Sequence, residues 1–238
     1  MSTFIFDFDG TLADSVEVLL EITNSLADEF DFEPLKPAEF ERLRELSSRA
    51  ILQEGRISIW KLPRLVRRLK REQNRQIGRI QLVAGMAEVL GELRRRGDRL
   101  GIATSNSAQN LEYLLERHGV SELFEFKESS ITLFGKSRRL RRIIRQYHLE
   151  PADTIYIGDE VRDMQAAAEV GLHSLGVGWG FNTSAALEAA GAEFVIERPE
   201  EILRLSLGSY QVLPGVQPVS RMSESLMMDW FYPAPSLS

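Results

Sequence analysis

The strongest constraint on this chain is its rhythm. Apolar, β-rich runs recur at Phe4 to Phe8, Leu100 to Thr104, Thr154 to Ile157, Leu172 to Val177 and Phe194 to Ile196, and helical patterns follow most of them. Strands that are apolar along their whole length are buried on both faces. Alternation of such strands with helices therefore predicts an α/β fold, a doubly wound parallel sheet with helices on each side. One interval breaks the rhythm. From about Val16 to Ile80 only helical periodicity is found, interrupted at Pro34, Pro37, Gly55 and Pro63, which predicts a helical insertion after the first strand. The expected division is a core over 1–15 and 81–208, an inserted α-helical domain over 16–80 and a C-terminal tail over 209–238. The tail carries Pro214, Pro218, Pro233 and Pro235 with few charges, and its cluster Leu226, Met227, Met228, Trp230 and Phe231 is too apolar for a purely solvating segment.

A length of 238 residues allows one full domain plus an insert. There is no cysteine, which excludes disulfides and thiol chemistry. The opening MSTFIFDFDG has neither a basic region nor a long apolar stretch, and no later segment approaches the roughly 18 uninterrupted apolar residues of a membrane span. A cytoplasmic protein with no membrane partner is expected. With 29 Lys and Arg against 35 Asp and Glu, the net charge of −6 argues against a nucleic-acid partner. The oligomeric state is left open by the sequence. Charge is nonetheless divided within the insertion: Glu17 to Glu45 holds nine acidic and three basic residues, and Arg56 to Arg79 holds nine basic residues against Glu72. The simpler reading is two solvated helix faces attracting each other. The sharper one is that some of these arginines face an anionic substrate.

The chemistry is expected where strands end. Asp7 and Asp9 close the first strand, and a side-chain period of two would send both carboxylates to one side. Gly10 then permits a tight turn with close backbone approach, and Thr11 supplies a hydroxyl and amides there. A turn explains Asp9 but not an acid at Asp7 inside an apolar strand. RLGIA runs into Thr104, Ser105 and Asn106, which either cap a helix or bind phosphate oxygens. TIYIG delivers Asp159 and Glu160, with Asp163 on the first turn of the next helix; the helix dipole alone would account for Glu160 and Asp163, but not for Asp159. Ligands of open parallel sheets bind beyond the carboxyl ends of the strands. Carboxylates gathered there would raise one another's pKa unless a cation intervened, and an all-oxygen set selects a hard divalent ion such as Mg2+. Lys136 follows Gly135 and the run Ile131 to Phe134, opens a helix, and is placed to neutralise a phosphoryl group and a nucleophile. Along that helix Leu140, Ile143, Ile144 and Tyr147 form the apolar stripe, so Arg138, Arg139, Arg141, Arg142 and Arg145 are expected on a solvated face.

DFDGTLADS at Asp7 to Ser15, IATSN at Ile102 to Asn106, GKS at Gly135 to Ser137 and YIGDEVRD at Tyr156 to Asp163 stand in the order and spacing of four motifs. The chain thereby resembles the haloacid dehalogenase-like superfamily over about Thr3 to Leu205, and the long insert resembles the helical cap of its phosphoglycolate phosphatase-like branch on a Rossmann-like core. The resemblance implies a magnesium-dependent phosphatase that hydrolyses a small phosphorylated metabolite. It makes Asp7 the nucleophile that forms an aspartyl-phosphate, and Asp9 the acid and later the base. Asp7, Asp159 and the backbone carbonyl of Asp9 would hold the metal, supported by Glu160 and Asp163. Thr104 and Lys136 would bind the transferring phosphoryl group, with Gly10, Thr11, Ser105 and Asn106 assisting. Members that cleave carbon–halogen bonds resemble DxYGT at this place, so Asp9 favours phosphate chemistry. Two departures are Ser137, where proline commonly follows the lysine, and Glu160 in place of a small residue.

Two other functions fit the same residues less fully. A phosphomutase would use the same aspartyl-phosphate, and a non-catalytic phospho-binding or regulatory module would share the carboxylates and lysine but has no use for Asp9 as an acid. Arg42, Arg44, Arg56 and Trp60 are possible readers of the leaving group. His118, His148 and His173 lack ligand spacing, and Trp179 is expected to pack near the rim.

Overall fold

Thr3, Phe4, Ile5 and Phe6 are all buried, and they form the central strand β1 (Thr3–Phe6). A strand with no exposed face requires neighbours on both edges and helices on both sides. In this computed structural model, which describes residues 1–47, 50–51, 60–129 and 135–205, β1 pairs in parallel with β4 (Arg99–Thr104) on one edge and β6 (Thr154–Gly158) on the other. Phe4 lies opposite Leu100 and Ile155, and Phe6 opposite Ile102 and Ile157. With β5 (Phe126–Ser129), β7 (His173–Val177) and β8 (Phe194–Ile196), the sheet has the order β5-β4-β1-β6-β7-β8. The chain thus passes from β1 to β4 and β5 on one side, then returns to β6 on the other. The switch point falls at the carboxyl end of β1.

Period-two alternation sorts the core. Phe4, Phe6, Ile102 and Ile157 pack with Met86, Leu90 and Leu93 of α5 (Met86–Arg95) and Leu111 and Leu114 of α6 (Ala108–Arg117). Ile5, Ala103 and Tyr156 pack on the other face with Leu140 and Ile143 of α7 (Lys136–Gln146) and Ala166 and Ala167 of α8 (Val161–Val170). Each large side chain buried in this way contributes about 1.5–3 kcal/mol. The architecture is the expected helix-covered parallel sheet.

Between β2 (Ala13–Asp14) and β3 (Gln81–Leu82), which pair antiparallel, the chain forms α1 (Val16–Ser25), α2 (Ala27–Phe30), α3 (Pro37–Arg44) and α4 (Leu62–Gln76). Val18, Ile22, Leu26, Phe30 and Leu65 pack these helices together. The charge division of this segment resolves into ion pairs between its own helices and loops: Arg64 and Arg68 with Glu29, Lys61 with Asp31, and Arg79 with Glu21. Exposed pairs of this kind contribute little each, so the apolar contacts hold the bundle. No helix among the described residues is long and apolar enough to cross a membrane.

Four expectations are corrected. The first strand ends at Phe6, not Phe8, because the Phe8 carbonyl accepts the amides of Thr11, Leu12 and Ala13 and turns the chain. The edge strand β5 was not anticipated: only Phe126 of its four residues is buried, and Lys127 and Glu128 give it the charged pattern of a protected edge. Arg139 does not share the solvated face of α7; it is buried and donates through Nη1 to the Thr104 carbonyl at 2.5 Å. The cap of α6 is Ser107, whose Oγ accepts from the Asn110 amide, not Ser105 or Asn106. The run Ile131 to Phe134, Arg56 and the tail over 209–238 lie outside the described residues.

Candidate active site

At the carboxyl ends of β1 and β6 the chain brings three buried carboxylates together. One oxygen from each of Asp7, Asp159 and Asp163 lies within 4.8 Å of the others. Asp7 continues the parallel pairing, its amide donating to the Ile157 carbonyl at 2.8 Å, so its side chain emerges beside β6. Asp163, on the first turn of α8, is fully buried and accepts from the Glu160 amide at 3.0 Å. Lys136 Nζ donates to Asp7 Oδ2 at 2.6 Å and also to Asp163 Oδ1. Burial works against the ammonium charge, yet the carboxylates of Asp163 and Asp7 hold Lys136 well above the ordinary lysine range. Burial also lifts Asp163 to about 6, with Lys136 opposing. Asp159 stands well above the usual carboxylate value, because burial is joined by the charges of Glu160, Asp163 and Asp7. Such a cluster is short of positive charge, and an all-oxygen set of this kind suits a hard divalent cation.

Asp159 is seated by the turn that follows β1. Thr11 Oγ1 donates to Asp159 Oδ1 at 2.9 Å, and the Phe181 amide donates to Oδ2 at 2.8 Å. Gly10 has φ of +73°, and a Cβ there would lie 2.1 Å from Asp159 Oδ2. Only glycine satisfies both conditions. The amides of Gly10 and Thr11 are committed within the turn, to the carbonyls of Ala13 and Phe8. Trp179, packed against the core, donates to the Thr11 carbonyl at 3.1 Å.

Asp9 has other hydrogen-bond partners than Asp7. Its carboxylate accepts from Gln73 Nε2 at 2.6 Å and from Asn106 Nδ2, which spans both oxygens at 3.1 and 3.0 Å. Burial and the charge of Asp7 raise it to about 6, against the hydrogen bonds of Asn106, Gln73 and Ser15. A carboxyl in that range exchanges protons near neutrality.

The loop after β4 is held from three sides. Arg139 takes the Thr104 carbonyl, Lys70 Nζ takes the Ser105 carbonyl at 2.7 Å and Ser129 Oγ takes the Asn106 carbonyl at 2.7 Å. The Asn106 amide donates to Thr104 Oγ1 at 2.9 Å. Glu160 pairs with Arg162 rather than joining the carboxylate trio. Of the possible readers, Arg44 donates to the Phe181 and Gly180 carbonyls, and Trp60 is 90% exposed. Gln73 was not anticipated from the sequence. Its signal was available, since it is a polar residue on the stripe Leu65, Leu69, Gln73 of α4.

The family profile described as haloacid dehalogenase-like hydrolase matches residues 4–177. This chain belongs to that family. A phosphoglycolate phosphatase from Synechococcus elongatus is 38% identical over 204 residues, covering 86% of this chain and 96% of that protein. A phosphoglycolate phosphatase from Photobacterium profundum is 26% identical over 83% of this chain and 92% of its own length. Among solved structures, a predicted phosphatase from Clostridium acetobutylicum shares the fold with a TM-score of 0.73 at 21% identity, over 86% of this chain and 99% of that one. This haloacid dehalogenase-like hydrolase is a phosphatase.

Proposed function

We propose that this phosphatase is a magnesium-dependent enzyme that hydrolyses a small phosphorylated metabolite through an aspartyl-phosphate on Asp7. Phosphoglycolate is the lead substrate, by the name of the relative from Synechococcus elongatus. The reading is carried by one observation: Asp7 sits between Lys136 and two further buried carboxylates, while Asp9 is held by Gln73 and Asn106 with a pKa of about 6. In this proposal residues 1–15 and 81–208 are the core, 16–80 the cap and 209–238 a tail, and the enzyme works in the cytoplasm.

Asp7, Asp159 and the carbonyl of Asp9 would hold Mg2+, with Asp163 and Glu160 supporting it. Bound there, the ion would neutralise nonbridging phosphoryl oxygens and suppress repulsion among the carboxylates. Lys136 orients Asp7 and would offer its charge to the transferring group, with Thr104, Ser105 and Asn106 assisting in binding it. A carboxylate oxygen of Asp7 attacks phosphorus, the ester P–O bond breaks, and Asp9 gives its proton to the leaving oxygen. Asp9, now a carboxylate, takes a proton from water as the water oxygen attacks the phosphorus. The bond between Asp7 and phosphorus breaks and phosphate departs. A carboxylate nucleophile thus divides one hydrolysis into two displacements.

A screen of phosphorylated metabolites with and without Mg2+ tests this. Release of free phosphate, led by phosphoglycolate and lost on chelation, is the expected result. More efficient isomerisation of a sugar phosphate would establish a phosphomutase instead, and binding without turnover would establish a phospho-binding module.

A further inference from the structure

The inserted helix α4 is strongly basic, yet one of its buried positions holds an uncharged amide. Leu65, Leu69 and Gln73 follow at intervals of four along its inner face, and Gln73 is only 6% exposed. A buried amide is costly unless its donors find acceptors. Gln73 Nε2 finds Asp9 Oδ1, at 2.6 Å and 64 residues away in sequence. Its neighbours on the same helix face repeat the theme: Lys70 Nζ reaches the Ser105 carbonyl, and Asn74 Oδ1 accepts from Asn110 Nδ2 at 2.6 Å. Asn110 Nδ2 also donates to Asn106 Oδ1 at 2.9 Å, and the Ser107 amide does so at 2.7 Å, which fixes the Asn106 amide with its nitrogen toward Asp9. Three residues on one face of α4 therefore end on Asp9 or on the network that orients it.

We propose that Gln73 is a positioning residue for Asp9: α4 supplies a donor, beside those of the core, that fixes the orientation of the acid–base carboxyl for proton delivery to the leaving group. The proposal rests on the assignment of Asp9 as the acid. Asn106 holds the carboxyl from the loop after β4, across both oxygens, and Ser15 adds a further hydrogen bond. Gln73 adds a donor to Oδ1 from α4. Loss of that donor loosens one oxygen of Asp9, and a misplaced group of this kind costs rate even when the chemistry itself is unchanged.

The test compares leaving groups. An aryl ester such as p-nitrophenyl phosphate expels an acidic phenol that needs little protonation, whereas phosphoglycolate expels an alkoxide that depends on it. Gln73→Met keeps length and Gln73→Leu continues the apolar stripe, and both remove the donor without adding charge. The full-length variants are assayed with Mg2+ for kcat/KM, which reports on the first displacement, with thermal melting as the control for folding. In both variants kcat/KM on phosphoglycolate is expected to fall about tenfold or more while that on p-nitrophenyl phosphate falls less than about threefold. Equal losses on the two esters, or none on either, would overturn the positioning role. If either variant melts early, the other carries the comparison. Wild-type protein that turns over neither ester would sink the phosphatase mechanism and this inference together, whereas wild-type turnover that survives Asp9→Asn would remove Asp9 from the acid role alone.

Discussion

Asp7 and Asp9 are two residues apart and have unlike surroundings. Asp7 is bound to Lys136 and faces Asp159 and Asp163; Asp9 is bound to the neutral donors Gln73 and Asn106. Carboxylates placed in different environments take different chemical roles. Asp7→Asn is expected to abolish turnover with the fold intact, as read by phosphate release and circular dichroism; unchanged activity would remove it as nucleophile. Asp9→Asn should accept phosphate from an aryl ester and then stall, so mass spectrometry should find a phosphorylated protein that turns over slowly. Wild-type steady-state rates in that variant would contradict the acid–base assignment. Gly10→Ala places a methyl group against the Asp159 carboxylate at a positive φ, and a loss of about 1–3 kcal/mol is expected in urea unfolding. A loss below about 0.5 kcal/mol would mean that the turn relaxes freely.

At the scale of elements, the site is assembled from strand ends and helix starts that converge from distant parts of the chain. β1 brings Asp7, β6 brings Asp159, α7 starts on Lys136 and α8 holds Asp163 on its first turn. Arg139 ties α7 to the end of β4 by taking the Thr104 carbonyl, and its own burial lowers its pKa from the ordinary arginine value. Arg139→Leu leaves that carbonyl without its donor. A destabilisation of about 1–3 kcal/mol is expected, measured in urea. If the variant were as stable as wild type, water would be replacing the guanidinium and the tie would be dispensable. The inserted helices meet the core at Gln73, Lys70 and Arg44, which reach Asp9 and the Ser105 and Phe181 carbonyls.

For the whole molecule, the carboxylate cluster makes stability depend on pH and on metal. Without metal, Asp163 at about 6 and Asp159 further above its usual value bind protons more tightly folded than unfolded. The contribution of Asp163 is present below about pH 4 and is lost as pH rises through about 6, and that of Asp159 is lost as pH rises through its own raised value. The melting temperature of metal-free protein should therefore fall across that window, the fall should shrink in Asp159→Asn, and Mg2+ should reverse it at neutral pH by binding the folded state. A pH-independent melting temperature, or no shift with Mg2+ at neutral pH, would contradict the charge imbalance. The sequence by itself determined the parallel sheet, the inserted helices and the positions of Asp7, Asp159 and Lys136, because continuous apolar runs and acids at their ends are local patterns that leave few packings. It did not determine which partners Asp9 takes, that Arg139 is buried, that β5 forms an edge or that Gln73 reaches Asp9. Those depend on contacts between residues 25 to 97 positions apart, which are decided only when the partners are in place.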